Sequence, residues 1–592
     1  MKAITAFLSG LLLSAILLLP ASIRAAELQP FVTYKVASPN TLISVAEKFA
    51  SMAGASSNAE FRQFLNTVKN VKGFDLNGII GVAAAVNDDG DISPLLLLPL
   101  TDFEKAEIPN HPQIFDSIRP FVVKKGEGKF DINTPMGTYA AVQQQNYLVI
   151  VPEDAADQIP ADAKKLFADL EKYTIGIKLD LEKVEFETIE AKIFGPMLMA
   201  ATLFDPTAGE QIETVVEVYR ELYKEYALLT GGAVFNPQTA DVEISTAIVV
   251  RKNSNMAKMF AGYKVQPTIF SGFRGTPENT VFALGESAAV GQSNFDDKAM
   301  MELGRKHWET IFSGMLEQIE MEDETGETSE LAKKAVDSLN KIVETESTKG
   351  SGDYALSFNT DGTMLFAFDT ASLDEIQKLA ALIVEHGNKH IPDEAKTLIT
   401  NNVNLNSATV EGFKVSNIKI PLLRVLEALE GPAPDVAQNV WNNVMPGVFW
   451  ATKGGNKQAI AVAVGLDFAK TEQAFKSALE KTKTAVPVQK PVGNFFIGGL
   501  GKFLQQKIYP IAEKAVGAGP TPEDVALFRQ VTDTLAAAGN DAVITLDSDV
   551  KADRIDGHVR ISGKVIQVVI SAGKLAYEAA PTRIEGPAIQ DF

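Results

Sequence analysis

The clearest pattern of hydrophobic and polar positions runs from Tyr354 to Phe368. Bulky apolar residues occupy every second position of Tyr354–Phe358 and again of Met364–Phe368, and Asn359–Gly362 separates the two segments. A period of two is typical of a strand with one buried face. Asn, Asp and Gly favour tight turns, and glycine adopts a positive φ without strain. The segment therefore predicts an antiparallel β-hairpin.

The residues after this hairpin carry the signs of a capped helix. Ser372 and Glu375 have the spacing of a capping box, in which the serine accepts a hydrogen bond at the helix start and the glutamate reaches back. Apolar residues then recur at helical spacing as far as Ile383. Gly387 and Pro392 are typical of a helix end, so we expect the helix to stop near Gly387.

Three further segments follow the same pattern of hairpin and helix. They are Gly81–Ala106, Ala233–Phe260 and Gly447–Leu479. The predicted helix caps are Thr101 with Glu104, Ser254 and Asp467. A fifth hairpin is predicted between Ala542 and Ile561. The order of these segments along the chain predicts an internal duplication.

The predicted fold class is α+β, with two related halves built from antiparallel β-hairpin plus capped-helix units. We expect helices on one face of each sheet. The predicted segments are a signal peptide (1–25), a first α+β half with N-terminal helices (26–316), an acidic helical connector and flexible joint (317–351), and a second α+β half (352–592). Ser57 and Glu60 form a further predicted capping box, for an N-terminal helix that Gly73 ends.

The first residues predict export. Lys2 precedes the apolar run Phe7–Leu19, and Pro20 follows it. An apolar core of about 7–15 residues is typical of a signal peptide, whereas a membrane-spanning helix needs about 20. Ile23 and Ala25 fit a cleavage site after Ala25. We therefore expect a periplasmic or extracellular protein with no integral membrane span in the mature chain.

Composition and charge exclude several classes of function. The chain contains no cysteine, which excludes disulfides, thiolate zinc sites, iron–sulfur clusters and thiol catalysis. Its formal net charge is −20 at pH 7. Lys and Arg supply most of the affinity for nucleic acid and for anionic membranes, and the negative balance opposes both. We expect no nucleic-acid partner.

The five histidines give few candidates for a metal or catalytic site. His386 and His390 have the i, i+4 spacing that puts two imidazoles on one helix face, beside Glu385. We interpret them as part of the helix end described above. The other three have no recognisable partner in the sequence: His111, His307 and His558.

Two glycine-containing segments resemble known motifs only superficially. Ser271–Gly275 lacks the G-x-S-x-G pattern of a hydrolase nucleophile. Gly498–Leu504 lacks the Lys-Ser/Thr ending of a phosphate loop. We interpret the second segment as a tight turn into a helix.

Two acidic loops carry oxygen ligands of the kind that calcium prefers. One is Asn87–Ser93, and the other holds four aspartates: Asp547, Asp549, Asp553 and Asp556. Neither loop has the spacing of the twelve-residue calcium loop. The same residue types are typical of ordinary turns. No cofactor other than calcium is expected, and the four aspartates are its candidate ligands.

The segment Phe194–Phe204 is rich in methionine, a flexible side chain that adapts to irregular ligand surfaces. Met197, Met199 and Phe204 are therefore the candidate lining of a ligand groove. A buried helix is the alternative interpretation of this segment.

These observations favour an exported non-enzymatic protein with a binding or structural role. Its expected partner is an apolar small ligand, held between sheet and helices, or an envelope protein. Two alternatives stay open: a secreted hydrolase that uses carboxylates or a histidine dyad, and a surface protein that assembles through edge strands. The acidic stretch Glu317–Glu330 is interpreted as a solvated helix end, with docking of a basic partner or cations as the alternative. The oligomeric state is left open.

Overall fold

The computed structural model describes residues 29–86, 92–107, 119–196, 198–199, 216–289 and 327–578, apart from 57, 136, 218, 443, 456 and 517–519. The predicted signal peptide lies outside this part of the chain, as do His111, His307, Met197 and Phe204. The described residues form two compact units, which divide between Ala257 and Lys258. Asp553–Gly563 belongs to the first unit.

The structure has an α+β fold in which strands pair antiparallel. The strands of the first unit, before residue 258, are β1 Pro30–Val36, β2 Ile80–Val86, β3 Ile92–Leu98, β4 Val122–Gly126, β5 Lys129–Thr134, β6 Gly137–Gln144, β7 Tyr147–Pro152, β8 Ile175–Asp180, β9 Tyr226–Phe235 and β10 Val242–Val250. The remaining strands are β11 Lys264–Val265, β12 Thr280–Ala289, β13 Ser351–Asn359, β14 Met364–Thr370, β15 Val403–Val410, β16 Phe413–Lys419, β17 Gly447–Lys453, β18 Gln458–Gly465, β19 Gly493–Phe496, β20 Val543–Val550 and β21 Arg554–Ile561.

Pairing within the first unit gives the order β4-β5-β6-β7-β3-β2-β1-β8-β9-β10-β21. Pairing within the second unit gives β15-β16-β17-β18-β14-β13-β12-β19-β20, with β11 beside one end of β12. Leaving aside the two-residue strand β11, both units begin with one strand, followed by a hairpin, four strands that pair in succession, and two more strands. Nine successive strands thus occupy the same positions in each sheet.

Helices fill the connections between the strands. Those with the regular α conformation are α1 Pro39–Met52, α2 Ala59–Lys69, α3 Phe186–Ile189, α4 Asn255–Ala261, α5 Glu327–Lys349, α6 Leu373–His390, α7 Asp393–Thr400, α8 Leu422–Glu430, α9 Asp435–Trp441, α10 Phe468–Glu480, α11 Ile497–Phe503, α12 Tyr509–Lys514, α13 Pro522–Ala536 and α14 Gly563–Glu578. The predicted acidic connector overlaps α5. The predicted flexible joint is wrong, because only Gly350 separates the end of α5 from the start of β13.

In each unit, the helical segment that follows the four successive strands contributes an aromatic side chain to the core. In the first unit, Phe167 of the 3₁₀ segment Ala163–Leu170 packs against Ala83, Leu95 and Leu97. In the second unit, Phe475 of α10 packs against Phe449, with ring centroids 6.0 Å apart. These aromatic side chains are fully enclosed, so they form the centres of the two cores.

Four of the five hairpins predicted from alternation are confirmed, among them β2 with β3, β9 with β10 and β17 with β18. The fifth, between Ala542 and Ile561, stays a prediction, because β20 pairs with β19 in the second unit and β21 pairs with β10 in the first. Strands β13 and β14 pair from Tyr354–Phe368 to Phe358–Met364. Gly362 has φ +82° in the turn, and its N–H donates to the carbonyl oxygen of Asn359 at 3.0 Å. A side chain at Gly362 would strain this turn, which explains why the sequence pattern is so clear here.

Two of the predicted helix caps are confirmed. The Ser254 hydroxyl accepts a hydrogen bond from the Ala257 N–H at 3.1 Å, and the Asp467 carboxylate accepts one from the Lys470 N–H at 3.2 Å. Ser57 lies outside the described residues, and Asn58 caps α2 by accepting from the Phe61 N–H.

The predicted capping box of Ser372 and Glu375 is wrong. Glu375 pairs with Lys378 instead. The backbone N–H groups of Ala371 and Ser372 donate to the Glu346 carboxylate, at 2.8 and 3.1 Å. A side chain from α5 therefore binds the two residues just before α6, and the Gln458 side chain accepts from the N–H of Leu373, the first helical residue, at 3.3 Å. These tertiary contacts replace the local one.

The helix predicted to begin at Thr101 is also absent from the described residues 99–107. The Asp102 carboxylate accepts hydrogen bonds from the N–H groups of Glu104 and Lys105, at 3.1 and 3.2 Å, and so closes a turn. Its pKa is lowered, chiefly by its hydrogen bond with the Lys105 side chain. An aspartate that bonds its own backbone favours a turn over a helix.

The predicted stop near Gly387 is wrong, because α6 continues to His390. Glycine in a helix costs about 1 kcal/mol relative to alanine, which a packed helix tolerates. The helix ends where Ile391 turns extended, with ψ 130°, before Pro392. Proline disfavours the helical conformation in the residue that precedes it.

Candidate ligand-binding surface

The second face of the sheet in the second unit carries a row of apolar side chains. Strand alternation places these residues opposite the enclosed core, and their registers align them across five strands: Leu284, Leu356, Phe366, Val462 and Trp450. All five are half-buried. We call them the unit 2 row. A sheet with water on one side normally carries polar residues there, so an apolar second face indicates a surface that binds something.

The first unit has a matching feature, the unit 1 row. Its members are also register neighbours across five strands: Ile150, Leu96, Val82, Tyr34 and Ile177. The side chain of Ile177 is 49% exposed, and the other four residues are half-buried. The chain itself covers one end of the unit 1 row, because Ile150 packs against a core cluster that contains Leu100 and Leu148, and the row is most exposed at Ile177.

A polar group lies at the edge of the unit 2 row. The Tyr263 hydroxyl donates a hydrogen bond of 2.5 Å to the Glu286 carboxylate. Burial raises the pKa of Tyr263, and the neighbouring Glu286 charge raises it further. Burial and then Glu286 also raise the pKa of Tyr354, which faces Glu286 on the next strand. Both phenols are therefore neutral at physiological pH, beside one carboxylate.

A buried cation holds the chain ahead of β19 in the second unit. The Arg274 guanidinium donates to the carbonyl oxygens of Gln489 and Pro491, each at 2.7 Å, and of Val492 at 3.1 Å. Burial lowers the pKa of Arg274. The three carbonyl groups accept its hydrogen bonds in an enclosed position, so the role of this side chain is structural.

Lys35 has the corresponding role in the first unit. Its ammonium group donates to the carbonyl oxygens of Leu170, Glu171 and Tyr173, at 3.2, 3.0 and 2.6 Å, just ahead of β8. Burial lowers its pKa. Strands β8 and β19 occupy the same position in their sheets, so both units use a buried cation to secure the chain that enters this strand.

The four aspartates proposed as calcium ligands divide between the units. Asp547 forms an ion pair with Lys490 at 2.8 Å, and both belong to the second unit with Asp549. Asp556 is buried in the first unit, where both of its oxygens accept from Arg554. Across the described residues, no group of three or more His, Asp or Glu side chains is arranged to hold a metal ion.

The methionine-rich segment is only partly described. Met199 is 68% exposed. Phe194 ends a π-helical turn, Glu190–Phe194, and stacks on Tyr219 with ring centroids 5.6 Å apart. The part of this segment that can be described therefore shows an aromatic contact beside an exposed methionine.

No catalytic pair of histidines occurs among the side chains that the structure describes. His558 is exposed on β21, with its Nδ1 atom 3.9 Å from the Glu243 carboxylate. His386 and His390 lie in α6, whose side chains are not described at these positions.

The glycine-containing segments have structural roles. Ser271–Arg274 is a 3₁₀ turn, and both Phe273 within it and Phe270 just before it are enclosed in the core. Gly498 and Gly501 lie inside α11, where an added Cβ would overlap the backbone at Gly539 and Ala536. The interpretation as a turn into a helix is wrong, since both glycines lie within α11. Their lack of a side chain allows α11 to approach α13 closely.

Sequence alone did not identify Glu286, Arg274 or Lys35. The signal available was a charged residue inside an alternating strand, as at Lys35 between apolar residues of β1 and at Glu286 in β12. Such a residue lies either at an opening or in a buried network, and only the tertiary structure distinguishes the two.

Comparison with protein-family models, with curated proteins and with solved structures finds no match for this chain. Among the described helices, none combines the length and the apolar character that crossing a bilayer requires.

Proposed function

We propose that this is an exported, non-enzymatic binding protein that holds an apolar ligand against the second faces of its two sheets. The observation that carries the proposal is the pair of apolar rows, one per unit, which cross four equivalent strands of the two sheets. A ligand that covers such a row would gain about 25 cal/mol for each Å² of apolar surface removed from water. Helices beside the sheets supply further walls. One example is Phe503 of α11, whose ring centroid lies 4.8 Å from that of Phe358.

We further propose that the two units arose by duplication and that helices on one face of each sheet are a shared, inherited feature. The common order of nine strands and the buried cations Lys35 and Arg274 support this origin. Duplication would give one ligand surface to each unit, and therefore two binding sites for each chain.

Extraction of the purified full chain, followed by mass spectrometry, tests whether an apolar ligand copurifies. Titration with a fluorescent fatty acid tests the surface directly. We expect both to be positive. An empty extract together with no fluorescence change up to the solubility limit of the probe would overturn the proposal.

Two variants with matched controls locate the surface. Ile177→Lys and Met364→Lys place a charge on the second faces, at positions 49% and 42% exposed. The control variants Val123→Lys, on edge strand β4, and Val343→Lys, on α5, alter apolar residues 47% and 41% exposed. We expect each variant of the first pair to lose one of the two binding sites and so to halve the number of ligands bound per chain, whereas both controls keep the full number. Equal binding by all four variants would contradict the assignment.

A further inference from the structure

Glu286 occupies a defined place relative to the unit 2 row. It is the register partner of Tyr354 on β13, and Tyr354 is the partner of Phe368 on β14. The unit 2 row crosses the same three strands two residues further along each, at Leu284, Leu356 and Phe366. Because residues two apart on a strand share a face, a carboxylate and two aromatic rings lie directly beside the apolar row.

The charges around Glu286 are arranged for a cation. Its carboxylate accepts a hydrogen bond from the Tyr263 hydroxyl, and a carboxylate can accept about four hydrogen bonds. Asp549 adds a second negative charge that acts on Tyr263. The nearby Arg274 already donates to three backbone carbonyls. Lys264 pairs with Ala289 and so belongs to the opposite sheet face.

Aromatic rings beside a carboxylate are the environment in which proteins recognise ammonium groups. The negative face of the ring attracts the cation, and desolvation strengthens this attraction. Tyr354 and Phe368 supply rings here, and the neutral state of Tyr354 keeps its ring free of charge. An apolar chain attached to the ammonium group would extend along Leu356 and Phe366.

We propose that the second unit binds an amphiphile with a single alkyl chain and an ammonium end. Glu286 and Tyr354 would contact the ammonium group, and the unit 2 row would contact the alkyl chain. This inference rests on the proposed function, since it specifies the ligand class for one of the two apolar surfaces. A purely structural Tyr263–Glu286 bond is the competing explanation.

The test compares three probes of equal chain length, all below their micellar concentrations, by isothermal titration calorimetry on the full chain. They are dodecyltrimethylammonium, dodecyl maltoside and dodecyl sulfate. We expect the ammonium probe to bind about tenfold more tightly than the neutral one, the ratio that a partly desolvated cation–π and ion-pair contact supplies. Equal affinity of the ammonium and neutral probes would overturn the inference and leave the proposed function standing. Binding of none of the three would overturn both.

Variants of the full chain assign the residues. Glu286→Gln should lower the affinity for the ammonium probe about tenfold and leave that for dodecyl maltoside unchanged. Tyr354→Phe keeps the ring and should retain the preference, whereas Tyr354→Leu should lose most of it. An unchanged ammonium preference in both Glu286→Gln and Tyr354→Leu would show that the bond to Tyr263 is structural only. The wild-type probe series decides the question even where a variant fails to fold.

Discussion

The Arg274 guanidinium donates a 2.7 Å hydrogen bond to the carbonyl oxygen of Gln489, a residue 215 positions further along the chain. The same side chain also reaches the carbonyl groups of Pro491 and Val492. A contact of this range fixes where β19 joins β12, and with it one side of the surface that carries the unit 2 row.

Replacement of Arg274 by methionine tests this role. Arg274→Met keeps an unbranched apolar stem but leaves three enclosed carbonyl groups without their donor, and a buried unsatisfied group costs about 1–3 kcal/mol. We expect the free energy of unfolding to fall by about 3 kcal/mol. Denaturant titration measures it, with Arg424→Met on the exposed surface of α8 as the control. Similar losses in both variants would contradict the assigned role.

Two helical glycines should respond in opposite directions to the same substitution. Gly501→Ala places a methyl group against the backbone of Ala536, so we expect destabilisation despite the better helix propensity of alanine. Gly573 in α14 has open space at its Cβ position, so Gly573→Ala should stabilise by up to about 1 kcal/mol. Thermal unfolding of both variants measures the difference. Stabilisation by Gly501→Ala would disprove the close helix contact.

The start of α6 should depend on Glu346 and not on Glu375. Glu346→Ala removes the acceptor of two backbone N–H groups and should cost about 1–2 kcal/mol, the usual size of a lost N-cap. Glu375→Ala removes a solvent-exposed pair with Lys378, which should contribute little to the free energy of unfolding. Denaturant unfolding of the two variants is the measurement. Equal effects would mean that the helix start is held locally.

The raised pKa of Tyr263 predicts that the protein loses stability in alkaline solution. Its pKa in the folded protein is raised above the ordinary value, so the unfolded chain releases this proton first. The unfolded state then binds fewer protons, and stability falls as the pH rises above about 10. Tyr263→Phe should therefore lose less stability than the wild type between pH 9 and pH 11. Identical pH profiles of unfolding would contradict the raised pKa.

Local sequence signals predicted the hairpins well, because alternation and a glycine such as Gly362 act within a few residues. The caps at Ser254 and Asp467 were predicted for the same reason. The wrong predictions have different causes. At Ser372 a carboxylate from a distant helix replaced the local partner, and at Thr101 the Asp102 side chain closed a turn. Gly387 did not end its helix, which continues to His390. The candidate surface was beyond the sequence, since it depends on the register of Glu286 against Tyr354 across strands that a long connection separates.

The strand β21 comes from the far end of the sequence, yet it completes the sheet of the first unit beside β10. During synthesis, the rest of the first unit is made long before this strand. Until β21 is made, the backbone N–H and C=O groups on one edge of β10 lack their strand partners. Such an edge is a template for pairing with other chains. Assembly of the first unit is therefore coupled to the completion of translation through Ile561, and a nascent chain halted earlier would be a natural client for a chaperone.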